Sequence, residues 1–137
     1  MKVFLSFNHG DREIAQQVTK SLKSNGIEVS SLAGTQAGEN WPAKLEQDLR
    51  DSDEMVVLLT DKSQQSNSVI WEIGFAVGMK KPVVIIELGA KSELKSNLGT
   101  VQYVRYSNLD VYLKGLRKRL AEKALHNKRG KSSKAKR

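Results

Sequence analysis

The sequence contains no cysteine, two histidines and two prolines among its 137 residues. Without cysteine the chain cannot form a disulfide, bind a metal through thiolates or use a thiol as a nucleophile. His9 and His126 are too few and too far apart in the sequence to form a zinc site without cysteine ligands. We therefore expect no metal centre, and the lack of cysteine fits a reducing compartment.

Long apolar runs and several common catalytic motifs are also missing. The apolar start at residues 3–7 is too short for a signal peptide, and no run approaches transmembrane length. We therefore expect a cytoplasmic protein with no membrane partner. The sequence lacks the G-x-G-x-x-G dinucleotide fingerprint, the G-x-x-x-x-G-K-[ST] phosphate loop and the G-x-S-x-G nucleophile elbow. These absences exclude most common classes of α/β enzyme.

Positive charge is concentrated at one end of the chain. Six of the eight net positive charges lie in residues 127–137, which leaves +2 for residues 1–126. The end segment contains no acidic residue and only one apolar residue, Ala135, so it has nothing to bury. We predict one domain at residues 1–126, followed by a disordered basic tail at 127–137. Such a tail usually only aids solubility, and nucleic acid is its alternative partner.

Short apolar runs alternate with segments of helical periodicity along residues 1–126. The pattern predicts strands at residues 3–7, 27–29, 55–60, 83–86 and 101–106, and helices at residues 11–25, from 41 onward, at 68–79, and from 109 to about 126. Ile70, Ile73 and Val77 are predicted to form the buried face of the third helix. Because this alternation implies right-handed crossovers, we predict an α/β, flavodoxin-like three-layer fold with a five-stranded, mostly parallel sheet and helices on both faces.

Glu72 is the most informative residue, because it is a lone carboxylate in an apolar helical segment. Burial of such a group is costly unless something compensates for it. The segment follows a buried strand, and open α/β sheets bind ligands beyond the carboxyl ends of their strands. The residues after the first strand, Ser6 to His9, and the loop at 30–40 are expected at the same edge. An ionised carboxylate facing a sugar ring suits cleavage through an oxocarbenium-like transition state, with Trp71 as an apolar wall.

Simpler interpretations exist for the same residues. Glu72 in a first helical turn would complement the helix dipole, at about 0.3–1 kcal/mol. Trp71 and Trp41 would be core residues, and Asp11 an ordinary first-turn charge. The remaining motif of this segment, Gly74-x-x-x-Gly78, would allow close packing of helix on sheet.

An ordered set of motifs resembles the Toll/interleukin-1 receptor (TIR) domain family over about residues 2–120. It comprises Val3-Phe4-Leu5-Ser6-Phe7 with Asp11, Gly26-Ile27-Glu28-Val29, Ala37-Gly38-Glu39-Asn40-Trp41, Asp51 to Thr60, Glu72-Ile73, and Lys81-Pro82-Val83. The resemblance implies a stand-alone, bacterial-type TIR protein with a flavodoxin-like fold. It also implies NAD⁺ hydrolysis or cyclisation, which releases nicotinamide and gives ADP-ribose or a cyclic isomer, with NAD⁺ as substrate and no cofactor.

The resemblance assigns roles to individual residues. Glu72 matches the catalytic glutamate of enzymatic members, and Ser68 stands where many of them carry a tryptophan. The residues assigned to substrate binding are Ser6, Phe7, Asn8, Gly38, Trp41, Ser68 and Trp71. The loop at 30–40 matches the family's assembly loop, which implies TIR–TIR self-association. An effector protein that senses the nucleotide product, in bacterial anti-phage immune signalling, is a further implied partner.

Two alternatives remain open at this point. The first is a non-catalytic TIR scaffold that acts only by assembly. The second arises because Glu72-Ile73-Gly74-Phe75-Ala76 followed by Lys81-Pro82-Val83 is also similar to nucleoside 2-deoxyribosyltransferases. In that family a similarly placed glutamate attacks the anomeric carbon of deoxyribose. Both enzyme families direct an acid at an N-glycosidic bond, so they predict the same class of reaction.

Overall fold

A five-stranded parallel sheet forms the centre of the protein in the computed structural model. The model describes residues 1–31, 41–61, 67–88 and 101–135, without the side chains of Trp41, Asn67, Ser68 and residues 127–135. The strands are β1 (Lys2–Ser6), β2 (Glu28–Ser30), β3 (Glu54–Leu59), β4 (Val83–Glu87) and β5 (Gln102–Arg105). Their order is β2-β1-β3-β4-β5, and all four pairings are parallel. This is the flavodoxin-like strand order, as the sequence predicts.

Helices cover both faces of the sheet. They are α1 (Arg12–Ser24), α2 (Trp41–Asp51), α3 (Asn67–Gly78) and α4 (Leu109–Ala135). On one face, α1 and α4 pack through residues such as Val18, Leu22 and Leu116. On the other face, α2 and α3 pack through residues such as Leu45, Leu49 and Ile73. The layers therefore place α1 and α3 on opposite sides of β1 and β3.

Local sequence explains where these elements begin and end. All six residues of β3 are buried, as expected for a strand covered on both faces. On α1 the buried residues Ala15, Val18 and Leu22 recur at helical spacing. The turn after α1 contains Gly26 at a φ of 80°, a left-handed conformation that glycine adopts without steric cost. Residues Ile27 and Glu28 can then enter β2 directly.

Two predictions about helices are wrong. The helix α4 does not end near His126 but continues through residues 127–135 to Ala135. This segment has no proline and is rich in lysine and arginine, which are good helix formers. The domain boundary at residue 126 and the disordered basic tail at 127–137 stay predictions.

The second error concerns the buried face of α3. Val69, Ile73 and Ala76 are buried there, whereas Ile70 is 42% and Val77 is 37% exposed. The buried residues and the predicted ones differ by one position at each end of the helix. Because α3 is apolar on most sides, helical periodicity alone does not show which of the two faces is buried.

A buried polar cluster joins α4 to the start of β3, at the opposite end of the strand from its carboxyl end. Glu54 is 1% exposed and accepts hydrogen bonds from Tyr112 Oη and Arg119 Nη1, each at 2.6 Å. Burial, together with the carboxylate of Glu54, raises the pKa of Tyr112 far above its ordinary value. This cluster fixes the position of α4 across the sheet.

No helix in the described ranges combines the length and the apolar character that a membrane crossing requires.

Candidate active site at the carboxyl edge of the sheet

The candidate site lies where the carboxyl ends of β1 and β3 meet. The chain passes from β1 to its neighbour β2 on one side, and later enters β3 on the other side of β1. Because α1, which follows β1, and α3, which follows β3, pack on opposite faces, the edge between β1 and β3 is the point where open α/β sheets bind ligands. Ser6, the last residue of β1, and Thr60, which follows β3, lie at this edge.

Glu72 is buried beside the end of β1. It lies on α3 next to the buried Ile73, and only 8% of it is exposed. The hydroxyl of Ser6 donates a hydrogen bond to Glu72 Oε2. Burial raises the pKa of Glu72 above its ordinary value, and the hydrogen bond from Ser6 opposes that rise. A carboxyl group whose pKa is raised by burial, at the edge where open α/β sheets bind ligands, is a candidate for a functional acid or base.

The structure excludes the helix-dipole interpretation of Glu72. The helix α3 begins at Asn67, so Glu72 occupies its second turn, and the first turn contains no acidic residue. The dipole effect falls off within the first turn, so it gives little compensation for the burial of Glu72. The only hydrogen-bond donor that the described residues direct at this carboxylate is the hydroxyl of Ser6.

A second carboxylate, Asp11, is buried at the same edge. Asp11 is 6% exposed and accepts a hydrogen bond of 2.6 Å from the Thr60 hydroxyl. This bond ties the segment after β1 to the segment after β3. Asp11 is therefore not the ordinary first-turn charge that the sequence suggests. The two residues are 49 positions apart in the sequence. The one sequence signal for their contact is that each follows the end of a predicted strand.

The other residues after β1 have mainly structural contacts. Asn8 caps a short 3₁₀ helix, His9–Asp11, because its side-chain oxygen accepts a hydrogen bond from Gly10 N. Phe7 is half-buried against the core layer of α1 and α4, on the other side of the sheet from α3. The structure thus brings Ser6 to Glu72, whereas Phe7 packs toward α1.

Trp71 is not a core residue. It is 42% exposed, and its ring stacks on Phe75 with centroids 5.1 Å apart. The nearby Gly74 does not serve close helix–sheet packing either, because a Cβ built there meets nothing within 4 Å. The outer face of α3 therefore presents Ile70, Trp71 and Val77 to the surroundings.

Three predicted substrate-binding positions cannot be placed relative to Glu72. Gly38 lies outside the described residues, as does most of the loop at 30–40. Trp41 begins α2 and Ser68 lies in α3, but their side chains are outside the described part. At the edge of this loop, Ser30 Oγ is buried and accepts or donates no hydrogen bond among the residues that the structure describes. Ser30 pairs with Phe4 in the register, so its hydroxyl lies on the α2 face of the sheet.

Comparisons with solved structures agree with this architecture. The TIR domain of the Toll-related receptor TRR-2 of Hydra magnipapillata is 16% identical, with a TM-score of 0.66 over 88% of this chain and 95% of that one. The CMP N-glycosidase BcmB of Clostridium botulinum is 20% identical, with a TM-score of 0.60 over 85% and 98%. The receiver domain of the Francisella response regulator 1452 is 19% identical, with a TM-score of 0.55 over 87% and 98%. At these identities the likeness shows a shared flavodoxin-like fold.

No curated protein matches the sequence. The family model of the TIR domain matches residues 3–120, from β1 into the first half of α4. This range contains Ser6, Asp11, Thr60 and Glu72. The chain therefore belongs to the TIR domain family.

Proposed function

We propose that this protein is an NAD⁺ glycohydrolase or cyclase, and that Glu72 is its catalytic carboxylate. The observation that carries the proposal is the buried Glu72, with its raised pKa, hydrogen-bonded to Ser6 at the carboxyl edge of the sheet. Membership of the TIR family supports the proposal, because some members cleave NAD⁺. The product would act as a signal to an effector protein in anti-phage defence.

The proposed reaction breaks the bond between ribose C1′ and the nicotinamide nitrogen. The bonding electron pair leaves with nicotinamide, whose ring nitrogen loses its positive charge. The carboxylate of Glu72 stabilises the positive charge that develops on the ribose. Water then adds to C1′ and gives its proton to Glu72, which yields ADP-ribose. If a nucleophile of the same molecule closes on C1′ instead, a cyclic isomer forms.

The surroundings of Glu72 suit this role. Because the site is largely closed to water, an ionised carboxylate interacts more strongly with a developing cation than it would in bulk water. Ser6 holds the carboxylate by a single hydrogen bond to one oxygen, Oε2. The similarity of fold to BcmB, described as a CMP N-glycosidase, is consistent with N-glycosidic cleavage as the class of reaction.

Nicotinamide release from NAD⁺, followed by chromatography, tests the proposal. We expect Glu72→Gln to lower kcat by about a hundredfold or more, because the amide keeps the shape but loses the charge. Glu122→Gln is the matched control, since this glutamate is exposed on α4. Unchanged activity in Glu72→Gln would contradict the assignment. TIR domains generally self-associate, so each assay is repeated over a range of protein concentrations.

Parallel incubations separate the alternatives. A TIR scaffold predicts concentration-dependent assembly with no turnover of NAD⁺ in the assembled state. A nucleotide or nucleoside glycosidase, which the likeness to BcmB favours as second candidate, predicts base release from CMP or base exchange on deoxynucleosides, and indifference to NAD⁺.

A further inference from the structure

A cavity of about 580 Å³ lies along one face of α1, outside the contact between Ser6 and Glu72. We name it the α1 cavity. Its helical wall comes from positions spaced three or four residues apart, which share one face of a helix. The lining residues that matter here are Phe7, Arg12, Gln16, Thr19, Lys20 and Ser31.

The α1 cavity is positively charged. Arg12 and Lys20 line it, both are exposed, and no carboxylate among the described residues does so. Neither cation forms an ion pair within the described part of the chain; the contact of Arg12 is with the ring of His9, at 3.5 Å. Eight residues of helix separate them by about 12 Å along the axis. The cavity therefore suits an elongated ligand with negative charge.

The remaining walls fit a nucleotide rather than a bare anion. Phe7 offers an aromatic side chain, and Ala15 adds a small apolar surface beside it. Gln16 carries an exposed amide that can bond sugar hydroxyls, and the Thr19 hydroxyl, which donates to Ala15 O at 2.7 Å, can accept one. The volume of this open cavity lies within the range of small-molecule sites, which use a few polar and charged groups to fix the orientation of the ligand.

The α1 cavity begins one residue away from the candidate active site. Ser6 contacts Glu72 on the α3 side, whereas Phe7 packs against the core layer of α1 and α4 and lines the cavity. A ligand that reaches both must therefore cross the carboxyl edge of the sheet over the end of β1. Dinucleotides lie across such an edge in doubly wound folds, at the point where the strand order reverses.

We propose that the α1 cavity binds the phosphate-bearing adenosine half of NAD⁺, while the nicotinamide riboside half lies at Glu72. The inference rests on the proposed function for the identity of the substrate. Arg12 and Lys20 neutralise the diphosphate, and Phe7 contacts the adenosine. ADP, which lacks nicotinamide and cannot react at Glu72, is the probe that separates binding from catalysis.

The test is titration of ADP into the protein by calorimetry, with amide chemical shifts recorded in parallel. We expect the double variant R12Q/K20Q to weaken ADP binding by about tenfold or more, because charge-assisted hydrogen bonds to phosphate are lost. The matched control is K23Q/K114Q, which removes the same charge from exposed lysines that do not line the cavity. The shifts should move at Gln16 and Thr19, and KM for NAD⁺ should rise in R12Q/K20Q with kcat retained.

Each outcome decides for or against the inference. No binding of ADP to the unmodified protein, or equal weakening in both double variants, would overturn it. ADP binding that is retained in Glu72→Gln and lost in R12Q/K20Q supports it. If Glu72→Gln keeps its NAD⁺ activity while R12Q/K20Q no longer binds ADP, the catalytic role of Glu72 is contradicted. The binding of ADP in the α1 cavity is then still supported.

Discussion

The Ser6 hydroxyl and the Glu72 carboxylate form a hydrogen bond across the carboxyl edge of the sheet, although the two residues are 66 positions apart. Burial and this bond act in opposite directions on the pKa of Glu72, and burial has the larger effect. A carboxyl group is thus buried at a position where an apolar side chain would cost less free energy to bury. Both the stability and the activity of the protein should therefore respond to changes at this pair.

Glu72→Gln should stabilise the protein at neutral pH. Because its pKa is raised, folded Glu72 binds a proton at pH values where the unfolded chain has released it. The stability that neutral Glu72 contributes is complete below the ordinary carboxyl pKa of 4.5 and is lost as pH rises through the raised pKa. We expect a gain of about 0.5–2 kcal/mol at pH 7, the usual range for stabilising substitutions.

Denaturant unfolding at several pH values checks this expectation. The gain should shrink as the pH falls through the raised pKa of Glu72 and should be gone below the ordinary carboxyl pKa of 4.5, whereas Glu122→Gln should change little at any pH. A loss of stability in Glu72→Gln at pH 7 would contradict a desolvated carboxylate at this position.

Ser6→Ala should shift the pH dependence of activity. The hydrogen bond from Ser6 lowers the pKa of Glu72, so its removal lets that pKa rise further. If ionised Glu72 is required, the acid limb of the kcat profile moves to higher pH. Ser24→Ala, an exposed serine of α1, should leave the limb in place. An unmoved limb in Ser6→Ala would mean that another group sets the pH dependence.

Tyr112→Phe should destabilise the fold without affecting the carboxyl edge. Its hydroxyl bonds the carboxylate of Glu54, which is 1% exposed, and loss of that donor leaves a buried charge less satisfied. We expect a cost of about 1–3 kcal/mol in the free energy of unfolding. Tyr106→Phe is the control, because within the described ranges its hydroxyl makes a single long contact, of 3.5 Å, with Gln17. Equal stabilities of the two variants would contradict the importance of the Glu54 cluster.

The glycines Gly74 and Gly26 should respond to alanine in opposite directions. Gly74 lies inside α3 with open space around a built Cβ, so alanine should raise the free energy of unfolding by about 0.5–1 kcal/mol. Gly26 has a φ of 80°, so alanine there is strained and should cost about 1–2 kcal/mol. Thermal unfolding of the two variants measures both changes. Destabilisation by Gly74→Ala would show that something packs against that face.

The order of strands and helices could be predicted because local composition determines it. Buried strands such as β3 are continuously apolar, and helices such as α1 have a single apolar stripe. The motifs around Glu72 predicted its position at the carboxyl edge, because connectivity alone places it there. The side chain that contacts Glu72 could not be predicted from the sequence, because it depends on the register of β1 against β3.

Other features depend on contacts that no local pattern contains. On α3 two overlapping sets of apolar residues are possible, and only the folded structure shows that Val69 and Ala76 belong to the buried cluster that contains Phe4 and Met55. The bond between Asp11 and Thr60 joins residues on separate elements. The α1 cavity arises from the distance between α1 and the ends of β1 and β2, which the sequence does not encode in any short window.

The separation of Ser6 and Glu72 along the chain has a consequence for synthesis. Ser6 leaves the ribosome early, but its partner follows 66 residues later, and α3 is packed only when β3 and β4 are in place beside it. A growing chain therefore cannot assemble the pair until most of the domain has emerged. Formation of the pair during refolding would then report the completion of the central sheet, and truncated products of translation would lack the candidate site.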